Sequence, residues 1–280
     1  MSLTDAQWAR IEPLLPDRTP KRGGRWRDHR EVIDAISWKF QTGAQWVQLP
    51  EKYGNWRGVY NRLRMWSADG TWERVFTALL DQADADEELN WVVSVDSTIV
   101  RAHQHAAGAR KKGPRPASLD HAMGRSRGGL TTKIHLAADG NCRPLAFYLT
   151  AGQAGDAPAF AEVMARLRVP RRRGRPRTRP EAVLSDKAYS SRAIREHLRR
   201  RGIRAVIPVP ADQRGHRLRR GSRGGRPPAF DREAYKQRNT VERCINRLKQ
   251  WRGIATRYEK TAAIYLAGLH VAGIFIWSAR

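Results

Sequence analysis

Hydrophobic residues along this chain are spaced in two different ways, and the change comes near residue 90. Before it, helical spacing dominates, and seven of the ten tryptophans lie between Trp8 and Trp72. The segment MSLTDAQWARIEPLL reads as a first helix with Thr4 or Asp5 as its cap. Asp28 opens a second helix, which carries Val32, Ile33, Ile36, Trp38 and Phe40 and stops at Gly43. A third runs from about Asn55 to Ser67 and stops before Gly70. Thr71 caps a fourth, WERVFTALLDQ, and the acidic run ADADEEL after it reads as a connector.

From Trp91 the runs become β-like: WVVSV, LTTKIHLAA and PLAFYLTA predict three strands joined by short polar loops, a sheet built mainly of hairpins. A helix over Ala157 to Arg168, the strand EAVLS, the helix SRAIREHLRRR and the strand IRAVIPV follow, then one long helix from about Asp231. Strands first, then alternating helices and strands, is the order of an α+β fold with a ribonuclease-H-like mixed sheet and flanking helices. The expected division is an all-helical unit over 1–88 and a domain built on this sheet over 89–280. Ala262 to Trp277 is apolar but short for a membrane span and contains Gly268, His270 and Gly273, so it reads as a buried closing helix. With no secretory signal at the N-terminus, a cytoplasmic, nucleoid-associated protein without a membrane partner is expected.

Charge changes this picture most. The chain carries 53 Lys and Arg against 27 Asp and Glu, a formal net charge of +26, which calls for a polyanion. Nucleic acid is favoured over a membrane surface because the arginines recur along the whole chain. They concentrate in two segments without core-forming residues, 169–180 and 211–230, which read as mobile loops able to lie along phosphates. Within the first, Arg173 and Arg175 flank Gly174 in a tract of the kind that enters an A·T minor groove. In the third helix, Trp56, Val59, Leu63 and Trp66 form an apolar stripe, while Arg57, Asn61 and Arg64 share another face. That face either enters a DNA groove or solvates the outside of the helix. Cys142 and Cys244 have no neighbouring ligands at metal spacing, and His103 and His105 lack the further donors a zinc ion needs.

The candidate chemistry lies in three acids. Asp96 directly follows WVVSV, where a buried strand would surface, and Asp186 repeats that setting after EAVLS. A carboxylate at a rigid strand end suits a metal ligand, and it equally suits a turn or helix cap. In YKQRNTVERCINRLK, Tyr235, Arg238, Glu242 and Lys249 project within an arc of about 60° on one helix and share one stripe. Val241, Ile245 and Leu248 on the adjoining side would pin that helix to the sheet.

The spacing of Tyr235, Arg238, Glu242 and Lys249 resembles the third-acid signature of insertion-sequence DDE transposases. VDSTIVRAHQHAAGA around Asp96 and LSDKAYSS around Asp186 look like the first- and second-acid regions of the insertion-sequence-five family, and GAQWVQLPEKYGNW resembles its N-terminal domain. The likeness spans nearly the whole chain and is loosest at Ser190 and Ser191. It implies that Asp96, Asp186 and Glu242 are the catalytic carboxylates and hold two Mg2+ ions, with Mn2+ as a substitute. It also implies cleavage at transposon ends followed by strand transfer, with Arg238 and Lys249 on DNA phosphates and Tyr235 on a sugar or base. The implied partners are inverted-repeat end DNA, target DNA and further copies of the chain, as a homodimer or larger assembly. A metal-dependent nuclease or resolvase without strand transfer, and an inert DNA-binding repressor, are the rival readings.

Overall fold

The computed structural model describes residues 2–18, 26–108, 121–171 and 173–279. The front of the chain folds into helices α1 (Asp5–Ile11), α2 (His29–Thr42), α3 (Trp56–Ala68) and α4 (Thr71–Ala85). Three of these begin where a side chain satisfies the free N–H groups of the first turn. The Thr4 hydroxyl accepts from Gln7 N in a reciprocal capping box, Asp28 accepts from Arg30 N and Glu31 N, and Asn55 accepts from Arg57 N. Gly43 ends α2 at φ 70, a left-handed position that glycine adopts without strain. The expected Thr71 cap is corrected: Thr71 is the first helical residue, its N–H bonded to Asp69 Oδ1 at 2.9 Å. Helix α4 also absorbs the start of the acidic run, because Ala83 continues the buried stripe of Val75, Phe76, Leu79 and Leu80.

The sheet comprises β1 (Val92–Ala102), β2 (Gly124–Ser126), β3 (Gly129–Ala138), β4 (Pro144–Ala151), β5 (Ala182–Leu184), β6 (Arg204–Val206) and β7 (Thr256–Arg257). Helices α5 (Gln104–Ala107), α6 (Asp156–Arg166), α7 (Arg192–Arg200), α8 (Ala211–Arg219), α9 (Arg232–Lys236), α10 (Asn239–Lys249), α11 (Arg252–Ala255) and α12 (Ala262–Ser278) complete the described residues. Strand β3 runs antiparallel to both β1 and β4, whereas β5 runs parallel to β1 and β6 parallel to β5. The order β4-β3-β1-β5-β6 is the expected ribonuclease-H-like mixed sheet, with α6 and α7 supplying the crossovers that parallel strands require. Hairpins build less of it than expected, since α5 and β2 lie between β1 and β3.

Four further expectations are corrected. Asp96 is interior to β1, which continues to Ala102 because β3 pairs with it from Ser94 to Arg101 and β7 pairs with its last two residues. The segment 211–230 is not loop throughout: Ala211–Arg219 is helical, in keeping with the good helix propensity of Arg, Gln and Leu. Segment 169–180 is tied down at its base, where Val169 bridges Arg177 and the Arg177 guanidinium lies 4.0 Å from the Trp91 ring centre. The long helix from Asp231 divides into α9 and α10. Between them Gln237 N, Arg238 N, Thr240 N and Val241 N bond three residues back, a tighter winding. It leaves Tyr235 packed on Phe230 and on the small cluster of Ala182, Leu184 and Val206.

One hydrophobic core runs from Leu3 to Trp277. Helix α12 is buried along nearly its whole length and packs on α1, α2, α3, α4, α10 and β4. Thus the closing helix is shared between the front helices and the sheet. Among the described residues no helix is long and apolar enough to cross a membrane. Two glycines make the close packing of α12 possible: a Cβ on Gly268 would lie 2.4 Å from the Phe40 ring, and one on Gly273 2.6 Å from the Phe76 ring. Gly268→Ala is therefore expected to destabilise the protein by about 1–3 kcal/mol through overpacking. Gly58→Ala, where a Cβ meets nothing within 4 Å on the exposed face of α3, is expected to stabilise it by up to about 1 kcal/mol. Urea unfolding of the two variants checks both signs.

Candidate active site

Alternation along β1 places Ser94, Asp96 and Thr98 on one face. Each is met by a residue from the segment that carries the third acid. Thr240 Oγ1 donates to Ser94 Oγ at 3.0 Å, Arg238 to Asp96 Oδ2 at 3.1 Å, and Lys249 Nζ to Thr98 Oγ1 at 2.6 Å. Buried Val241, Cys244, Ile245 and Leu248 provide the apolar side of the same helix, as the spacing predicts for three of them. Helix α10 is thus fixed against β1 by an apolar stripe and a polar ladder together.

Arg238 also donates to Glu242 Oε1, so one guanidinium bridges the first and third acids. Asp186 caps the 3₁₀ turn Lys187–Tyr189, accepting from Ala188 N at 2.9 Å. Burial pushes the Asp96 carboxyl above its ordinary range. A hydrogen bond from Ser97 N and the Arg238 charge oppose that push, while Asp186 and Glu242 add to it. The three acids therefore form one electrostatic group drawn from a strand, a turn and a helix. Among the described residues no set of three His, Cys, Asp or Glu is gathered closely enough to hold a metal ion in this arrangement, and Arg238 supplies the positive charge between Asp96 and Glu242.

Behind β1 lies a cluster that sequence reasoning passed over. Asp156 Oδ1 accepts from Ser97 Oγ at 2.6 Å and from Lys133 Nζ at 3.0 Å, with His135 Nδ1 3.9 Å away. Although burial raises the Asp156 carboxyl, the hydrogen bonds from Ser97 and Lys133 hold it below its usual value. Burial lowers His135 to about 4, which leaves its ring neutral near pH 7. Buried Tyr189, three residues after Asp186, is raised by burial and by the Asp156, Asp96 and Asp186 carboxylates. The available signal was Lys133 and His135 at alternate positions of LTTKIHLAA, two polar side chains on one face of a strand otherwise fit for burial.

The remaining candidates are spread out. Arg57, Asn61 and Arg64 are exposed together on α3, opposite buried Val59, Leu63 and Trp66. Arg173 and Arg175 are exposed beside Gly174 at the far end of their segment, away from its Val169–Arg177 base. Ser190 and Ser191 serve the local fold: Ser190 Oγ accepts from Arg195, and Ser191 caps α7. His103 caps α5.

Residues 87–276 match the family described as Transposase DDE domain, and residues 3–76 match Putative transposase of IS4/5 family. The chain belongs to the DDE transposases. It is 41% identical over 109 residues to an uncharacterised protein, y4sN, of Sinorhizobium fredii, covering 39% of this transposase and 83% of the relative. A putative transposase for insertion sequence element IS6501 of Brucella ovis is 29% identical over 148 residues, 53% of this chain and 98% of its own. Among solved structures, a pre-cleavage Mos1 transpososome aligns over 85% of this chain and 82% of its own at 12% identity, with a TM-score of 0.23. The transposase's own strand order is what defines its fold. Proteins with this domain use divalent metal ions.

Raised in the folded state, the Asp96 carboxyl disfavours folding once it ionises. That cost is absent below the ordinary carboxylate value of about 3.9 and full once pH has passed the raised folded value. Without divalent ions, Asp96→Asn is expected to melt above the wild type at pH 7, with the gap closing as pH falls toward about 4. A variant that melts lower at pH 7 means the Arg238 ion pair outweighs the burial.

Proposed function

We propose that this transposase cleaves DNA at the ends of a mobile element and joins the freed ends to target DNA, with Asp96, Asp186 and Glu242 holding two magnesium ions. The observation that carries this reading is Arg238 bonded to both Asp96 and Glu242, with the charge of Asp186 acting on the same Asp96 carboxyl. The donor set fits the metal: hard carboxylate oxygens with no sulfur or imidazole among them suit magnesium, and manganese as its substitute. Ions held there would supply an activated water or 3′-hydroxyl and a stabilised leaving oxygen.

The chain's own residues supply the rest. Arg238 neutralises the carboxylates in the free protein and, as a fork of donors, equally suits a DNA phosphate. Arrival of a phosphate would draw it from Asp96 and Glu242 and release those oxygens. Lys249, held by Thr98 and the Ile99 carbonyl on the same face, stands where it can bind a second phosphate. Tyr235, half buried against Phe230, offers one ring edge to a sugar or base. The exposed Arg57, Asn61 and Arg64 face serves end-DNA binding by the helical unit of residues 1–88, and Arg173 and Arg175 follow the backbone. Two DNA ends call for two copies of the chain, and a cytoplasmic, nucleoid-associated location follows from that substrate.

Joining of a labelled end fragment to a plasmid in magnesium tests this directly. Asp96→Ala, Asp186→Ala and Glu242→Ala are each expected to lose more than the roughly 10–100-fold typical of changes around a metal site, while still binding DNA. Wild-type activity in all three sinks the assignment, and cleavage without joining supports the nuclease instead. Arg238→Ala separates its two roles. In the absence of DNA this variant is expected to bind Mn2+ more tightly than wild type by electron paramagnetic resonance, yet to cleave ends more slowly. Unchanged Mn2+ affinity argues against charge substitution by Arg238.

A further inference from the structure

Two adjoining cavities of about 460 and 260 Å3 open where the front helices meet the far end of β1. They share Trp46, Trp56 and Tyr258, and Tyr60 lines the smaller one. All four rings are half buried, and Trp46 and Trp56 pack against the core. Trp46 meets Tyr60 edge-on at 5.4 Å, and Tyr258 lies 5.0 Å from the His103 ring. Val47, 64% exposed, forms an apolar lip beside Trp46. Close-packed interiors leave no such space, and the larger cavity falls in the range of about 300–1,000 Å3 usual for small-ligand sites.

The floor and rim narrow the choice of occupant. Lys39 and Glu259 form a buried ion pair at the floor, with the Lys39 ammonium 5.4 Å from the Trp46 ring and 5.9 Å from the Tyr258 ring. Exposed Lys260 stands at the rim of the smaller cavity, and the Arg57 guanidinium lies 5.0 Å from the Trp56 ring. Flat aromatic walls with cations along the edge match a stacked base and its phosphate, and they accept any base because every base has a π face. Bases inside a duplex are already stacked and paired. We infer that this aromatic groove binds unpaired DNA bases, either in a single strand or extruded from a duplex. His103 lies seven residues along the strand direction from Asp96, roughly 23 Å at 3.3 Å per residue, so a strand leaving the acids can reach the groove.

This inference rests on DNA as the substrate, and its test is independent of cleavage. Full-length protein without divalent ions is titrated with a 12-nucleotide oligothymidine, the same backbone without bases, and a blunt duplex. The wild type is expected to bind the base-bearing strand about tenfold or more tightly than the abasic one, with quenched tryptophan fluorescence. Trp56→Ala and Tyr258→Ala are expected to lose that preference while keeping wild-type affinity for the duplex, and Asp96→Asn is expected to retain it. A strand carrying 2-aminopurine, quenched on stacking, gives the same answer from the wild type alone if either variant fails to fold. Equal affinity for base-bearing and abasic strands, or a preference that survives both substitutions, overturns the proposal. If strand transfer fails in every assay while the preference holds, the groove stands and the transposition mechanism does not.

Discussion

Three carboxylates drawn into one partly buried place repel one another, and the fold around them answers that repulsion. Asp96 bears the largest cost because it belongs to the central strand, where burial already opposes its charge. Arg238, at the junction of α9 and α10, offsets this by bonding Asp96 and Glu242 at once. Thr240 and Lys249 bond the neighbouring same-face residues of β1, so the helix cannot slide without breaking three polar contacts in register. A single lysine would lack the planar fork that spans two acids.

Rigidity behind the strand matters equally. Ser97 points away from Asp96 and bonds Asp156, which is also held by Lys133. Strand β1 is therefore gripped on both faces by charged groups, and Tyr189 brings the turn of Asp186 against the same cluster. Further out, buried Arg257 ties β7 to Thr132 and to the carbonyls of Glu259 and Lys260, closing the far end of the sheet. Helix α12 then joins the sheet to the front helices through one core. The front helices and the strand that carries Asp96 thus share one close-packed interior.

Much of this was legible in the residues, and the misses have physical reasons. Helix starts at Thr4, Asp28 and Asn55 were readable because capping is local chemistry, fixed by side chains two or three positions away. Five of the seven strands described were readable from β-like runs, with β2 and β7 missed, and the helix that carries Glu242 from the spacing of Val241, Ile245 and Leu248. The interior position of Asp96 was not, because the strand's length is set by its partner β3 and an acid within it looks like a boundary. Helix α8 has no buried residue, so no periodic signal announced it. The division at Gln237 and Arg238 and the Asp156 cluster depend on contacts between distant segments, which spacing along one segment cannot encode.

The same distinction governs the charge. Among the described residues five cations are buried, Lys39, Arg62, Lys133, Arg143 and Arg257, and each has a specific partner. Lys39 pairs with Glu259, Lys133 with Asp156 and Arg143 with Asp139, while Arg62 meets His29 and Arg257 meets backbone carbonyls. Leaving any of these acids or cations alone in the interior would cost far more than the pairing gains, so the interior holds only a small positive excess. The excess of +26 must then reside mostly on the outside. There it attracts DNA without regard to sequence and weakens with salt, whatever the carboxylates do. Surface charge thus brings the polymer in, and at the half-buried group around Arg238 the acids outnumber the cation between them, which is an electrostatic reason to exchange that cation for something else.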